Sequence, residues 1–209
     1  MRFSVIIPTH NAEKFISKGL DSIKAQSFRD FELIVVCDRC TDRTKEIAES
    51  YGAKTIEVDY GRDGLSRNAG LEIAEGEYIL WQDDDDWYLH EFAFGMIDEK
   101  LRENNDPEVL IYSFVWKGVG IAHPLNRFNE PYTACWCKAF RRDWIGQTRF
   151  SGVYSVSDTD FHKLMWQKPH RQVLFDQPLY YYNYLREGSI SKNMGRTVDG
   201  VRKVFGIKG

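Results

Sequence analysis

Residues 83–86 are four consecutive aspartates, followed by Trp87. Carboxylates held this close repel one another, so either their pKa values rise or a cation offsets the repulsion. A hard divalent cation, Mn²⁺ or Mg²⁺, suits such a set, held by one or two carboxylates together with substrate phosphates. On a strand, residues i and i+2 share a face, so Asp83 and Asp85 are the pair expected to converge. Asp86 reads as the N-cap of the next helix. A solvated turn does not need the run Asp83 to Asp85. Two more polar clusters are Pro8-Thr9-His10-Asn11 and Asp38-Arg39. Asp158 and Asp160 head a helical pattern, where capping and dipole compensation are the plain structural explanation.

These clusters need elements that bring them together. Residues 3–7, 31–37, 55–58 and 78–81 read as strands. Helical patterns lie between them. Asn11 is expected to cap one carrying Ile16, Leu20 and Ile23; another runs from about Thr41 to Gly52; a third is marked by Leu65, Ala69 and Ile73. After the aspartates a helix carries Leu89, Phe92, Ala93, Met96, Ile97 and Leu101. Alternation of this kind predicts βαβ units, and ligands then bind outside the carboxyl ends of the strands. Residues 8–11, 38–39 and 83–86 sit at those ends. The second half is less regular, with strands expected at 108–117, 134–140 and 180–185 and a helix at 158–167. No repeat or low-complexity linker divides the chain. It reads as one domain, 1–209, with a regular half (1–104) and a less regular half (105–209).

Five segments resemble the family 2 glycosyltransferases in order and spacing. They are Ser4-Val5-Ile6-Ile7-Pro8-Thr9-His10-Asn11, Asp38-Arg39-Cys40-Thr41-Asp42-Arg43-Thr44, Gly64-Leu65-Ser66-Arg67-Asn68-Ala69-Gly70, Gly76-Glu77-Tyr78-Ile79 and Asp83-Asp84-Asp85-Asp86-Trp87. The likeness is close over roughly the first 90 residues. It returns weakly at residues 157–161 and 182–191. It implies the GT-A fold: a Rossmann-like α/β fold whose central sheet is mostly parallel, with helices on both faces and an irregular C-terminal region facing the acceptor. It implies that Asp83-Asp84-Asp85 is the Asp-X-Asp motif, with Asp83 and Asp85 on the metal and Asp84 on the sugar nucleotide. Asp38 matches the acid that reads the base. Pro8, Thr9, His10 and Asn11 fall where the nucleoside is cradled, His10 in a position to stack on the base. Arg67 matches an arginine near the donor phosphates. The implied donor is a UDP- or GDP-sugar and the acceptor a glycan or lipid-linked precursor.

Two departures stand out. Cys37 replaces the first of two common acids, and Ser157 replaces the Glu of a Glu-Asp pair that usually holds the catalytic base. The base is therefore expected at Asp158, with Asp160 the second choice. One carboxylate that deprotonates the acceptor hydroxyl implies inverting transfer without a covalent sugar intermediate. His162, four residues after Asp158, shares its helix face in this reading and is within reach of the metal. The aromatic residues Trp136, Phe140, Trp144, Trp166 and Tyr180 to Tyr184 read mostly as core. Cys37-X-X-Cys40 and Cys135-X-Cys137 could together make a four-thiolate zinc site, but Cys37 sits in a strand end and the Cys135 pair is too close for the usual two-residue knuckle, so they read as small buried or loop residues. A redox Cys-X-X-Cys would call for a helix N-terminus that lowers a thiol pKa.

Composition excludes other classes. Across 209 residues, Lys+Arg number 28 and Asp+Glu 31, a net charge of −3 that leaves no basic excess for nucleic acid. Apolar residues at 43% and charged residues at 28% mark an ordered globular chain. The longest apolar stretch, residues 109–116, falls well short of the ~20 residues of a membrane span. The first residues lack the apolar core of a signal peptide, about 7–15 residues. A cytoplasmic protein with reduced cysteines is expected. The basic tail of Lys192, Arg196, Arg202, Lys203 and Lys208 reads as a solvated end, a diphosphate clamp or a peripheral contact with anionic lipid. Two rival functions are a metal-dependent nucleotidyltransferase, which would want a Gly-rich basic loop after the first strand, and a catalytically silent sugar-nucleotide-binding module.

Overall fold

The computed structural model of the chain describes residues 1–126, 129–153 and 157–184. The basic tail and the part of the 182–191 likeness beyond Tyr184 lie outside these residues. Strands β1 (Phe3–Thr9), β2 (Phe31–Asp38), β3 (Lys54–Val58) and β4 (Tyr78–Trp81) alternate with helices α1 (Ile16–Lys24), α2 (Thr44–Ser50) and α3 (Asp63–Glu72). A two-residue strand β5 (Trp87–Tyr88) and helix α4 (Ala93–Glu103) follow. The second half holds β6 (Val109–Trp116), β7 (Gly120–Ala122), β8 (Lys138–Arg141), α5 (Arg142–Ile145), α6 (Ser157–Trp166) and β9 (Gln172–Tyr182).

One sheet runs β3-β2-β1-β4-β8-β6-β9-β5, with β7 paired to β6. The β3-β2-β1-β4 half is parallel throughout. Beyond it β8 runs antiparallel to β4 and β6, while β9 runs parallel to β6 with an irregularity around Ser113. The period-2 pattern of β1 and β2 divides the core between the two faces. Phe3, Val5, Ile7, Leu33 and Val35 pack with α1 and α4; Ile6, Ile34 and Val36 pack with α3, α5 and α6. Both faces are covered, so these strands read as continuous apolar runs. Among the described residues no helix is long and apolar enough to cross a membrane.

Several boundaries differ from the sequence reading. Asn11 does not cap α1. It sits at φ 49° and its side-chain oxygen accepts the Thr41 N–H at 2.8 Å, clipping the two loops together; α1 begins at Ile16 without a side-chain cap. Asp86 caps nothing, because β5 intervenes and α4 starts at Ala93. The buried stripe of α3 is Gly64, Ser66, Arg67, Gly70 and Leu71, not Leu65, Ala69 and Ile73. A β-carbon at Gly64 would stand 2.5 Å from the Ser151 carbonyl and 2.8 Å from Ser157 Cβ, so glycine lets α3 lie directly against the start of α6. β9 begins at Gln172, eight residues before the strand expected at 180.

Candidate functional site

At the carboxyl end of β4 the chain leaves the sheet, so residues 83–86 form a turn and strand alternation does not govern them. Asp83 turns toward α3, where Arg67 Nη2 meets its Oδ1 at 2.8 Å. The same guanidinium bonds Asp63 Oδ2 at 2.6 Å and lies 3.6 Å from Asp158 Oδ1 on α6. Arg67 is 4% exposed, and this burial is bearable because three carboxylates surround it. Ser157, the residue in the family's Glu position, bonds Asp63 Oδ2 at 3.1 Å, and the Cys135 N–H donates to Asp158 Oδ2 at 3.4 Å. Asp158 and the aspartate turn are thus brought together across Arg67. Asp160 lies in the same first turn of α6 and accepts from Ser151 Oγ at 2.9 Å.

The turn carries excess negative charge. Burial, then the Asp158, Asp85 and Asp84 carboxylates, push Asp83 up to about 7 against the pull of Arg67. Its side chain stays 29% exposed and so accessible to a ligand. Thr9 Oγ1 at the end of β1 donates to Asp84 Oδ2 at 2.8 Å. Asp85 is half-buried beside it. Hard oxygen donors in deficit of positive charge fit a divalent cation. Among the described residues, however, no three His, Cys, Asp or Glu side chains form a ready metal cluster.

Asp86 is completely buried and its carboxyl is pushed well up, first by burial and then by Asp85 and Asp83. Its partners come from the far end of the chain. Tyr180 Oη donates to Oδ2 at 2.9 Å, and the Asn183 N–H donates to Oδ1 at 2.8 Å. Tyr180 Oη also accepts the Asp83 N–H at 3.1 Å. β9 therefore holds the aspartate turn from behind. Sequence reasoning missed this role because the contacts span more than 90 residues. It also missed Asp63, which the i, i+4 spacing to Arg67 would have revealed.

At the end of β2, Asp38 is 5% exposed and fully engaged. Its Oδ1 accepts the Tyr60 and Gly61 N–H groups, both at 2.9 Å, and its Oδ2 accepts Arg62 N–H at 3.1 Å and Ser66 Oγ at 2.8 Å. Burial alone would raise its pKa, but these four donors outweigh it and hold the carboxyl below its ordinary value. A base N–H must compete with internal donors for this carboxylate, whose evident work is to shape the loop before α3. His10 is exposed, and its Nδ1–H donates to the Asp38 carbonyl at 2.7 Å. Pro8 is half-buried and Asn11 exposed on the same rim. His162 does not approach the aspartates. Its ring stacks on Trp166 at 3.8 Å, and burial, then the charges of Lys138 and His170, lower it to about 3.

Comparison with known proteins agrees with this geometry. The sequence profile of Glycosyl transferase family 2 matches residues 4–148. The poly(ribitol-phosphate) beta-N-acetylglucosaminyltransferase TarS of Staphylococcus aureus is 32% identical over 209 aligned residues, covering 90% of this chain and 36% of TarS. This chain thus spans about a third of the length of that relative. A crystal structure of S. aureus TarS 1–349 with UDP-GlcNAc superposes with a TM-score of 0.81 at 27% identity, covering 90% of this chain and 60% of that one. The Pyrobaculum calidifontis mannosyltransferase PcManGT, solved with GDP-Man and Mn²⁺, shares the fold (TM-score 0.70, 17% identity, 90% and 58% coverage). A profile match over more than half the chain, on a GT-A architecture with the aspartate turn at the end of β4, places this protein in glycosyl transferase family 2.

Proposed function

We propose that the chain transfers a sugar from a nucleoside-diphosphate donor to a hydroxyl of a glycan or lipid-linked acceptor, with inversion at the anomeric carbon. The observation that supports this most is Arg67, which reaches Asp83 in the aspartate turn and Asp158 on α6 at 2.8 and 3.6 Å. A donor-side carboxylate and a candidate base thereby share one guanidinium. A UDP-sugar is the favoured donor class, supported by the likeness to TarS solved with UDP-GlcNAc. Membership of the family removes the support for a nucleotidyltransferase.

In this reading Pro8, Thr9, His10 and Asn11 line the nucleoside pocket, the exposed His10 ring stacks on the base, and Asp38 sets the pocket wall. Asp84 serves the sugar nucleotide. Asp83 and Asp85 would hold a divalent cation together with the donor diphosphate, a reading supported by the burial and the neighbouring carboxylates that raise Asp83. When bound, the cation would supply positive charge against the negative charge developing on the leaving diphosphate. Asp158 takes the proton of the acceptor hydroxyl as its oxygen attacks the anomeric carbon from the face opposite the leaving group. The bond to the diphosphate breaks in the same displacement, and Asp160 is the second candidate for the base. Arg67 offsets the negative charge of Asp63, Asp83 and Asp158 so that they stay close.

Calorimetry of UDP with Mn²⁺ and with a chelator tests the donor site. Tight binding should need the metal, and Asp85→Asn should weaken it roughly tenfold or more with the fold intact. Equal affinity in the variant, or no effect of the chelator, would remove the metal-assisted reading.

A further inference from the structure

The transfer chemistry leaves one buried cation without a task. Lys138 opens β8 and is completely buried. Among the described residues its ammonium pairs with no carboxylate. Its Nζ donates to the Tyr132 carbonyl and, at 2.5 Å, to the Ala134 carbonyl, with Cys137 Sγ at 3.7 Å and the centre of the Trp166 ring at 5.8 Å. Burying an ammonium is costly without such compensation, and a methionine would fill the same space at no electrostatic cost. The reason for a lysine is to be sought in what those carbonyls hold.

The segment from Tyr132 to Cys137 belongs to no strand or helix. Its carbonyls are fixed by two residues. Tyr112 Oη donates to the Trp136 carbonyl at 2.6 Å and Tyr112 N–H to the Cys137 carbonyl at 3.1 Å. Lys138 takes the carbonyls of Tyr132 and Ala134. Ala134 and Cys135 share one peptide group, and it is trans, so its C=O and N–H point in opposite directions. The carbonyl end meets Lys138; the amide end, Cys135 N–H, donates to Asp158 Oδ2 at 3.4 Å. Ammonium, peptide and carboxylate therefore stand in series, each polarising the next, and the cation makes the amide a stronger donor. This is the hydrogen bond that orients Asp158 among the described residues, since Oδ1 accepts none and has Arg67 Nη1 at 3.6 Å. Thr159 Oγ1 adds a second contact between α6 and the segment, to Thr133 Oγ1 at 3.4 Å.

We propose that Lys138 is a positioning residue for Asp158. It acts through the Ala134–Cys135 peptide, which it orients and polarises so that the amide holds the Asp158 carboxylate in place for the acceptor hydroxyl. Lys138 works from inside the core and touches no reacting atom. The inference rests on the reading of Asp158 as the base.

Protein labelled with ¹⁵N at cysteine alone gives four backbone amide signals, one for each cysteine. Lys138→Met keeps the bulk and removes the charge. It should move the Cys135 amide proton to lower frequency and leave Cys37 and Cys40 in place, and Asp158→Asn should move the Cys135 signal in the same direction. A Cys135 signal unmoved in either variant would overturn the relay. Should the undonated carbonyls keep the methionine variant from folding, Lys138→Gln, which retains a donor without the charge, gives the same reading. In transfer assays with a UDP-sugar, a glycan acceptor and Mn²⁺, Lys138→Met should lower kcat at least about tenfold, as a small misplacement of a reacting group does, with UDP affinity by calorimetry unchanged. In the Asp158→Asn background the same substitution should change kcat by less than about twofold. Full additivity of the two substitutions, or a parallel loss of UDP affinity, would make Lys138 merely structural. An Asp158→Asn variant as fast as wild type would remove the base reading and the positioning role with it, while the Cys135 signal still decides whether the contact exists.

Discussion

Tyr180 is one hydroxyl on which two acidic residues depend. It accepts the Asp83 N–H and donates to the buried Asp86 while its ring stacks on Trp136 at 5.1 Å. Tyr180→Phe keeps the stacking and leaves both partners unmatched, at a cost of about 1–3 kcal/mol for a buried unsatisfied group. The aspartate turn should loosen, weakening UDP binding in Mn²⁺ more than binding in a chelator. Equal losses in both conditions would make Tyr180 merely structural. Asp38 makes a second prediction at this scale. Its pKa is lowered in the folded state, so its contribution to stability is present above the ordinary carboxylate pKa and is lost as pH falls through the folded value. Asp38→Ala should cost about 3 kcal/mol near neutral pH, or roughly 6–12 °C in melting temperature for a chain of this size. Its melting curve should also fall less than that of wild type between pH 5 and pH 3. An acid limb as steep as wild type would show that the four donors do not govern this group.

Elements position these residues by unusual packing. α3 turns glycines and an arginine inward because α6 and β1 approach its backbone. Gly64→Val would drive a side chain into Ser151 and Ser157. Overpacking of this kind costs about 1–3 kcal/mol. It should separate Arg67 from Asp158 and so lower turnover more than UDP affinity; a proportionate loss of both would refute this. α6 supplies a pH prediction. His162 ionises near 3 when folded and near 6.5 when unfolded. Between those values the unfolded chain binds a proton that the folded one refuses, so stability declines as pH falls from about 6.5, by up to ~1.4 kcal/mol per pH unit. His162→Phe keeps the stack on Trp166 and should shrink the loss of melting temperature between pH 6.5 and pH 4. An unchanged loss would contradict the assignment. The first four strands were legible because their signals are local: apolar runs ending in Pro8, Asp38 and the aspartates. Asp86 was not, because a helix-cap signal resembles any Asp before an apolar pattern, and its real partners, Tyr180 and Asn183, lie 94 and 97 positions away. The buried face of α3 escaped notice because periodicity marks apolar residues, whereas close backbone approach selects glycine.

At the scale of the whole molecule, the parallel half of the sheet delivers Thr9, Asp38 and the aspartate turn to one edge, and the mixed half returns β9 and α6 to the same place. The polar clusters at 8–11, 38–39 and 83–86 were readable because each lies at the end of a strand. The approach of Asp158 to Arg67 was not, since it arises only when α6 packs on Gly64. If Asp158 is the base proposed above, release of UDP from a UDP-sugar donor, with a glycan acceptor and Mn²⁺ present, depends on it. Asp158→Asn should slow release by about 10²–10⁴-fold while UDP affinity by calorimetry stays close to wild type. Undiminished release in Asp158→Asn, with the defect appearing in Asp160→Asn or in neither variant, would contradict it.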